Sequence, residues 1–163
     1  DGLERMLTDM HECNCLIKYI PELEPIMDMV KHDGLHAYTV GVHSIRCVGE
    51  LEKILDCSEG KFCKSVITAK KFVKRPNVLA LAALIHDIGK VAGHRNHADV
   101  GADMAKYVAS RFGFSESDID DLTVLVRSHL IMSSLAFKHD IHDERLLWRF
   151  AASIGSPEIL SML

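Results

Sequence analysis

His86 and Asp87 stand side by side at the end of the apolar run from Val78 to Ile85, and Ile88-Gly89-Lys90 follow at once. An imidazole and a carboxylate carried to the end of a buried helix are costly there unless they are paired or coordinate a metal. The same residue types recur along the chain, with His43 upstream and His94, His97, His129, Asp140 and Asp143 downstream. A His, His-Asp, His, His, Asp series in one small chain points to a metal-dependent hydrolase. Imidazole with carboxylate suits iron, manganese, zinc, nickel or cobalt better than calcium. Neighbours on a helix point about 100° apart, so His86 and Asp87 cannot chelate as an i, i+4 pair does. A loosened last turn would let both reach one ion.

Each of these residues also has a plainer reading. His43 lies on an apolar stripe, where a histidine alone is more often a hydrogen-bonded core residue. His97 could be a polar helix start, and His129 a cation favoured by a helix C-terminus. His94 and Asp99 read as solvent-exposed. Asp140 and Asp143 compete for one ligand role. Asp143 precedes Glu144 and a helical pattern, which suits a cap and favours Asp140 over it as the ligand. Lys90, three residues beyond Asp87, could hold a phosphate oxygen. Arg46, one turn beyond His43, could do the same or merely solvate its helix.

The elements that must position these residues read as helices throughout, with no sustained two-residue alternation. An N-terminal helix is expected over about residues 2–13, then short turns broken by Pro21 and Pro25 up to about residue 35. Thr39 can cap a long helix carrying His43, Ile45, Val48, Leu51 and Leu55, ended by Ser58-Glu59-Gly60. A short helix follows over about residues 61–73. Asn77 is expected to cap the helix that delivers His86 and Asp87, with a loop over about residues 88–96. Further helices are expected at about 97–112, 116–130 (capped by Ser115 with Asp118) and 143–154, and Ser156-Pro157-Glu158 restarts a short one with Pro157 at its first position. An all-α helical bundle suits such a site, because bundle metal sites form from side chains on facing helices.

At 163 residues with 48% hydrophobic and 26% charged residues, the chain can bury one core. A net charge of −4 gives no electrostatic reason to expect nucleic acid. No apolar run is long enough to span a bilayer. Five scattered cysteines, Cys13, Cys15, Cys47, Cys57 and Cys63, argue against a disulfide framework and for a reducing cytoplasm. A start at Asp1 suggests a fragment of a longer protein, with residues 1–163 as a single domain and about 1–35 as a helical extension to it.

The order His43, His86-Asp87, Asp140, with the string His86 to Lys90, resembles the HD superfamily of metal-dependent phosphohydrolases. Longer blocks resemble the uridylyl-removing region of bacterial bifunctional uridylyltransferase/uridylyl-removing enzymes: Tyr19 to Leu23, His36 to Arg46, Leu81 to Lys90, His97 to Ala102, Val126 to Ser133 and His139 to Asp143. The resemblance implies a compact HD-type bundle that removes UMP from a PII-type signal protein with a metal-activated water. It implies one or two divalent ions (Mn, Fe, Zn, Ni, Co or Mg) held by His43, His86, Asp87 and Asp140, with His97 and His129 for a second ion and Asp87 bridging. Lys90, Asp87 and Arg46 become the expected catalytic residues. Flanking nucleotidyltransferase and ACT-type domains are implied in the parent chain, with neither membrane nor nucleic acid as partner.

Two stretches depart from that pattern. Gly41-Val42 stands where two acidic residues are usual, and Val91 to Asn96 stands where a glycine-rich loop with an acidic residue is usual. Other readings therefore stay open: an HD-type hydrolase of another nucleotide or cyclic nucleotide, or a non-catalytic metal- or nucleotide-binding module. A di-iron oxygenase on the same scaffold and a metal-free helical interaction domain are the remaining alternatives.

Overall fold

A computed structural model describes residues 2–30, 38–56, 62–93, 96–140 and 142–163. Cys57, the Ser58-Glu59-Gly60 helix stop, His94 and the block His36-Ala37 lie outside the described residues. The fold is all-α, and its elements in order are α1 (Leu3–Glu12), α2 (Leu16–Tyr19), a 3-10 turn (Pro21–Leu23), α3 (Glu24–Met27), α4 (Val40–Asp56) and α5 (Lys64–Lys70). Then come α6 (Pro76–Ile85), a second 3-10 turn (Ile88–Ala92), α7 (His97–Arg111), α8 (Glu116–Ser128), α9 (Ile131–Lys138), α10 (Glu144–Ile154) and α11 (Pro157–Met162).

The core is built by α4, α6, α7 and α8. Val48, Val78, Ile85, Val108, Leu122 and Val126 are fully buried in it. Small residues on one face of α7, Ala102, Ala105 and Ala109, are also fully buried and let α8 approach closely. The segment before α4 joins the same core through Leu16, Leu23 and Ile26. Glu52 of α4 accepts hydrogen bonds from the backbone N–H groups of Leu3 and Glu4. That satisfies two orphan donors of α1 and sets a negative charge at its positive end.

Most helix starts follow from their caps. Thr39 Oγ1 accepts from Val42 N at 3.3 Å at the start of α4. Ser115, Asp143 and Ser156 cap α8, α10 and α11 with their side chains. Three expectations are corrected. Asn77 is no cap: α6 starts at Pro76, two residues earlier than a cap at Asn77 would place it, with the proline in its first turn, where a missing N–H costs nothing. Residues 88–92 are a 3-10 turn rather than loop, ended by Gly93 at φ +87°. Helix α9 fills a stretch for which no helix was expected; it buries no residue fully and carries only a weak apolar stripe.

Arg75, just before α6, forms ion pairs with Asp118 and Asp121 of α8 and with Glu158 of α11. This three-way clamp fixes the N-terminal end of α6, whose other end delivers the His-Asp pair.

Candidate metal centre

α6 ends at Ile85, and the last carbonyls of a helix need donors from outside the helix. His86 meets that need, its Nδ1 donating to the Ala83 carbonyl at 2.8 Å. His129 does the same at the end of α8, donating from Nδ1 to the Val126 carbonyl at 2.6 Å. A carbonyl can only accept, so Nδ1 carries the proton in both rings. In the neutral imidazole, Nε2 then presents a lone pair. Both lone pairs face one carboxylate: His86 Nε2 lies 3.2 Å from Asp87 Oδ2, and His129 Nε2 lies 3.7 Å from Asp87 Oδ1. Lone pairs converging on an anion repel unless a proton or a metal ion sits between them. His129 Nε2 is buried and makes no hydrogen bond among the described residues. Metal-binding histidines are held in this way, with the far nitrogen tied to a backbone carbonyl.

Two more imidazoles complete a row. Ring centroids are 5.4 Å apart for His43 and His86, 5.2 Å for His86 and His129, and 5.4 Å for His129 and His97. Asp87, His97 and His129 offer ligand atoms all within 4.8 Å of one another, and so do His43, Cys47 and His86. His97 reaches the row because Gly89 touches the first turn of α7. A Cβ on Gly89 would lie 1.9 Å from the His97 carbonyl oxygen and 2.4 Å from Gly101 N. Only glycine permits that approach.

Asp87 is 2% exposed. Burial alone would raise its carboxyl, but a second proton on His86, placed on Nε2 where no metal ion lies between, and then the hydrogen bond and charge of Lys90 overcome this and hold it well below the usual carboxylate range. Lys90 Nζ donates to Asp87 Oδ2 at 2.5 Å. Burial pushes the His129 pKa down, against the pull of the Val126 carbonyl, which favours the neutral ring that a metal needs. The Cys47 thiol is pushed up, first by burial and then by the charge of Asp87.

The sequence-derived candidates divide. His43, His86, Asp87, His97 and His129 are gathered in one place, with Lys90 on the carboxylate. Arg46 is exposed, its guanidinium 4.0 Å above the Tyr38 ring. Asp140 is exposed as well, and its Oδ1 accepts from His142 N at 2.9 Å. Asp143 is the cap of α10, accepting from Arg145 N and Leu146 N. Cys47 was missed as a site residue. The signal was present in its spacing, since a cysteine four residues after His43 lies on the same helix face. Gly41, where the resemblance expects an acidic residue, is buried against Met27, and a Cβ there would lie 2.6 Å from the Met27 Cα.

A cavity of about 340 Å³ opens beside the row. Cys47, His86 and His129 form its polar side, and Leu79, Leu125 and Met162 are among its apolar walls.

The HD domain family model matches residues 40–154. The chain belongs to the HD domain family. It is 37% identical over 163 residues to a bifunctional uridylyltransferase/uridylyl-removing enzyme of Ruegeria pomeroyi, covering 98% of this chain and 18% of that protein. Enzymes with the same name from Rhodopseudomonas palustris and Haemophilus influenzae are 35% and 33% identical, over 100% of this chain and 18% and 19% of theirs. The chain thus spans less than a fifth of the length of the curated relatives it matches. The family, and the imidazole and carboxylate donors gathered in the structure, are those of a metal-dependent phosphohydrolase. Among the described residues, no helix is long and apolar enough to cross a membrane.

Proposed function

We propose that this chain is the phosphodiesterase region of a uridylyl-removing enzyme, cleaving a tyrosyl-UMP ester on a PII-type signal protein by attack of water at phosphorus. The observation that carries the reading is the convergence of the His86 and His129 Nε2 atoms on Asp87, in a chain similar over nearly its whole length to uridylyl-removing enzymes. His86, Asp87, His97 and His129, with His43 beside them, would hold one or two divalent ions, whose identity the donor set leaves among Mn, Fe, Zn, Ni, Co and Mg. A divalent ion there polarises the phosphoryl group and brings a water close to deprotonation at neutral pH.

The remaining chemistry belongs to the chain's own side chains. The Ala83 and Val126 carbonyls hold both rings in one tautomer, so their Nε2 atoms stay available without reorganisation. Asp87 stays ionised. Lys90 balances its charge and stands ready to move its Nζ onto a phosphoryl oxygen. Little acid assistance is needed, because a phenolate with a pKa of about 10 leaves readily. The apolar side of the cavity offers room for the nucleoside. Arg46 is a further candidate for phosphate contact. Asp140 remains a proposed ligand on the resemblance alone, since its carboxylate stands outside the row.

On the same reading the chain works in the cytoplasm as a single HD domain, residues 1–35 extending it, beside nucleotidyltransferase and ACT-type domains. The test is metal analysis of protein purified without chelator or nickel resin, with manganese-supplemented hydrolysis of a tyrosyl-UMP ester on the same sample. Bound metal and release of UMP are expected. Both should be lost in His86→Ala and Asp87→Ala with little loss of helicity; full activity in either variant would overturn the site. Bound metal without UMP release moves the substrate to another nucleotide phosphoester.

A further inference from the structure

The metal centre carries a thiol. Cys47 Sγ lies 3.5 Å from His43 Nε2, one helical turn further along α4, and the ligand atoms of His43, Cys47 and His86 all fall within 4.8 Å of one another. Tetrahedral zinc, with Zn–N of about 2.0–2.1 Å and Zn–S of about 2.3 Å, sets its nitrogen and sulfur ligands about 3.6 Å apart. The observed separation matches that edge. The i, i+4 spacing on a straight helix fixes it before any ion arrives, and the thiol borders the open cavity beside the row.

We propose that Cys47 is a metal ligand of this chain, completing with His43 and His86 a two-nitrogen, one-sulfur site that favours zinc or cobalt over magnesium. The inference rests on the reading of this row as a metal centre and names the donor set of one of its two groups. On binding, the thiol gives its proton to solvent and the sulfur coordinates as thiolate. A soft sulfur donor disfavours magnesium, which takes oxygen ligands. The fourth position faces the cavity, where water or substrate can enter.

The experiment is titration of metal-free protein with cobalt(II) alone, read by absorption. A background with Cys13→Ser, Cys15→Ser, Cys57→Ser and Cys63→Ser removes the other thiols. A sulfur-to-cobalt charge-transfer band in the near ultraviolet is expected in that background. Adding Cys47→Ser should abolish it while weaker visible cobalt bands persist. Zinc should displace the cobalt and magnesium should not. Zinc affinity in the Cys47→Ser protein should fall by at least the roughly 10–100-fold that loss of an outer partner costs. Visible cobalt bands with no charge-transfer band in the background protein, or a band that survives Cys47→Ser, overturn the thiolate ligand and leave the metal centre standing. No cobalt absorption of any kind overturns both. Should the Cys47→Ser protein fail to fold, alkylation of Cys47 in the four-serine background decides. Zinc slows it if the sulfur is a ligand, and an unchanged rate with zinc bound refutes the proposal.

Discussion

Replacing Gly89 by alanine should damage the centre without touching a single ligand. The new Cβ would sit 1.9 Å from the His97 carbonyl oxygen and 2.4 Å from Gly101 N, both backbone atoms that cannot rotate away. Opening the first contact to 3.0 Å, the least that real Cβ atoms show, requires the 3-10 turn and α7 to separate by about 1.1 Å. The turn carries Asp87 at its start and α7 carries His97 in its first turn, so the separation falls directly between two proposed ligands. Misplacement by about 1 Å can cost roughly 100-fold in rate, and overpacking of this kind costs about 1–3 kcal/mol. For a chain of this length each kcal/mol lowers the melting temperature by about 2–4 °C.

Gly101→Ala is the matched control, because its nearest contacts, 3.3 Å to Gly89 N and 3.4 Å to a Val126 methyl, need only a few tenths of an ångström. Kinetics of tyrosyl-UMP ester hydrolysis, zinc titration and thermal melting on both variants supply the comparison. Gly89→Ala should lose most of its activity and weaken its metal binding, with Gly101→Ala close to the parent. Equal effects in the two variants, or an unharmed Gly89→Ala, would refute the argument that this backbone contact sets the distance from His97 to Asp87.

Four further outcomes are expected. Asp143→Ala removes the α10 cap and should cost about 0.5–2 kcal/mol with metal content unchanged, whereas Asp140→Ala, as a proposed ligand, should lower metal content and spare stability; thermal melts and metal analysis on both variants separate cap from ligand. Ile88→Ala, at a side chain fully buried between Asp87 and Gly89, should cost about 2–5 kcal/mol in denaturant unfolding, and Ile88→Val much less. Lys90→Met should tighten metal binding at low ionic strength, since it removes a competitor for Asp87 Oδ2, while slowing hydrolysis; looser binding in calorimetry would show that Lys90 instead supports the site. Arg75→Met should lower the melting temperature at pH 7, and the deficit should shrink progressively as pH falls below about 4. Asp118 and Glu158 are held below their ordinary values, Asp118 by Ser115 and Arg75, Glu158 by Arg75 and the Lys74 N–H against its burial. A depressed carboxylate adds stability above its unfolded pKa of about 4 and loses it as pH falls through the folded value.

Much of the fold was legible because its signals are local. Ser115, Asp143 and Ser156 announce the starts of α8, α10 and α11 by residue type, and the stripe through His43, Ile45 and Val48 shows α4 as amphipathic. The misses were cases where local chemistry allowed two answers. Pro76 and Asn77 both suit a helix start, and the proline took the first turn. The stretch Ile88 to Ala92 holds a glycine that reads as loop, yet tertiary contact with α7 winds it into a 3-10 turn. Helix α9 has neither a cap nor a buried face to betray it.

The site divides along the same line. Residue types name the donors, but nothing local states that His43, His86, His97 and His129, spread over 87 positions of sequence, must meet. Two devices bring them together, and both become visible only as geometry. One is the use of histidine to cap α6 and α8, which ties the far ring nitrogen to a helix carbonyl and aims the near one past the helix end. The other is the glycine contact that lets α7 start beside Asp87. Cys47 shows the opposite failure: its partner lies four residues away, well within reach of a sequence reading. Cysteine reads first as a disulfide residue, and only the phase of residues 43–47 on one helix face shows Cys47 as one half of a chelate with His43. A histidine at a helix end, a glycine opposite the next helix start and an i, i+4 donor pair are each weak alone. They gain force together because each removes a different freedom, namely the ring tautomer, the inter-helix distance and the ligand-to-ligand edge, and a metal site needs all three fixed before the ion binds.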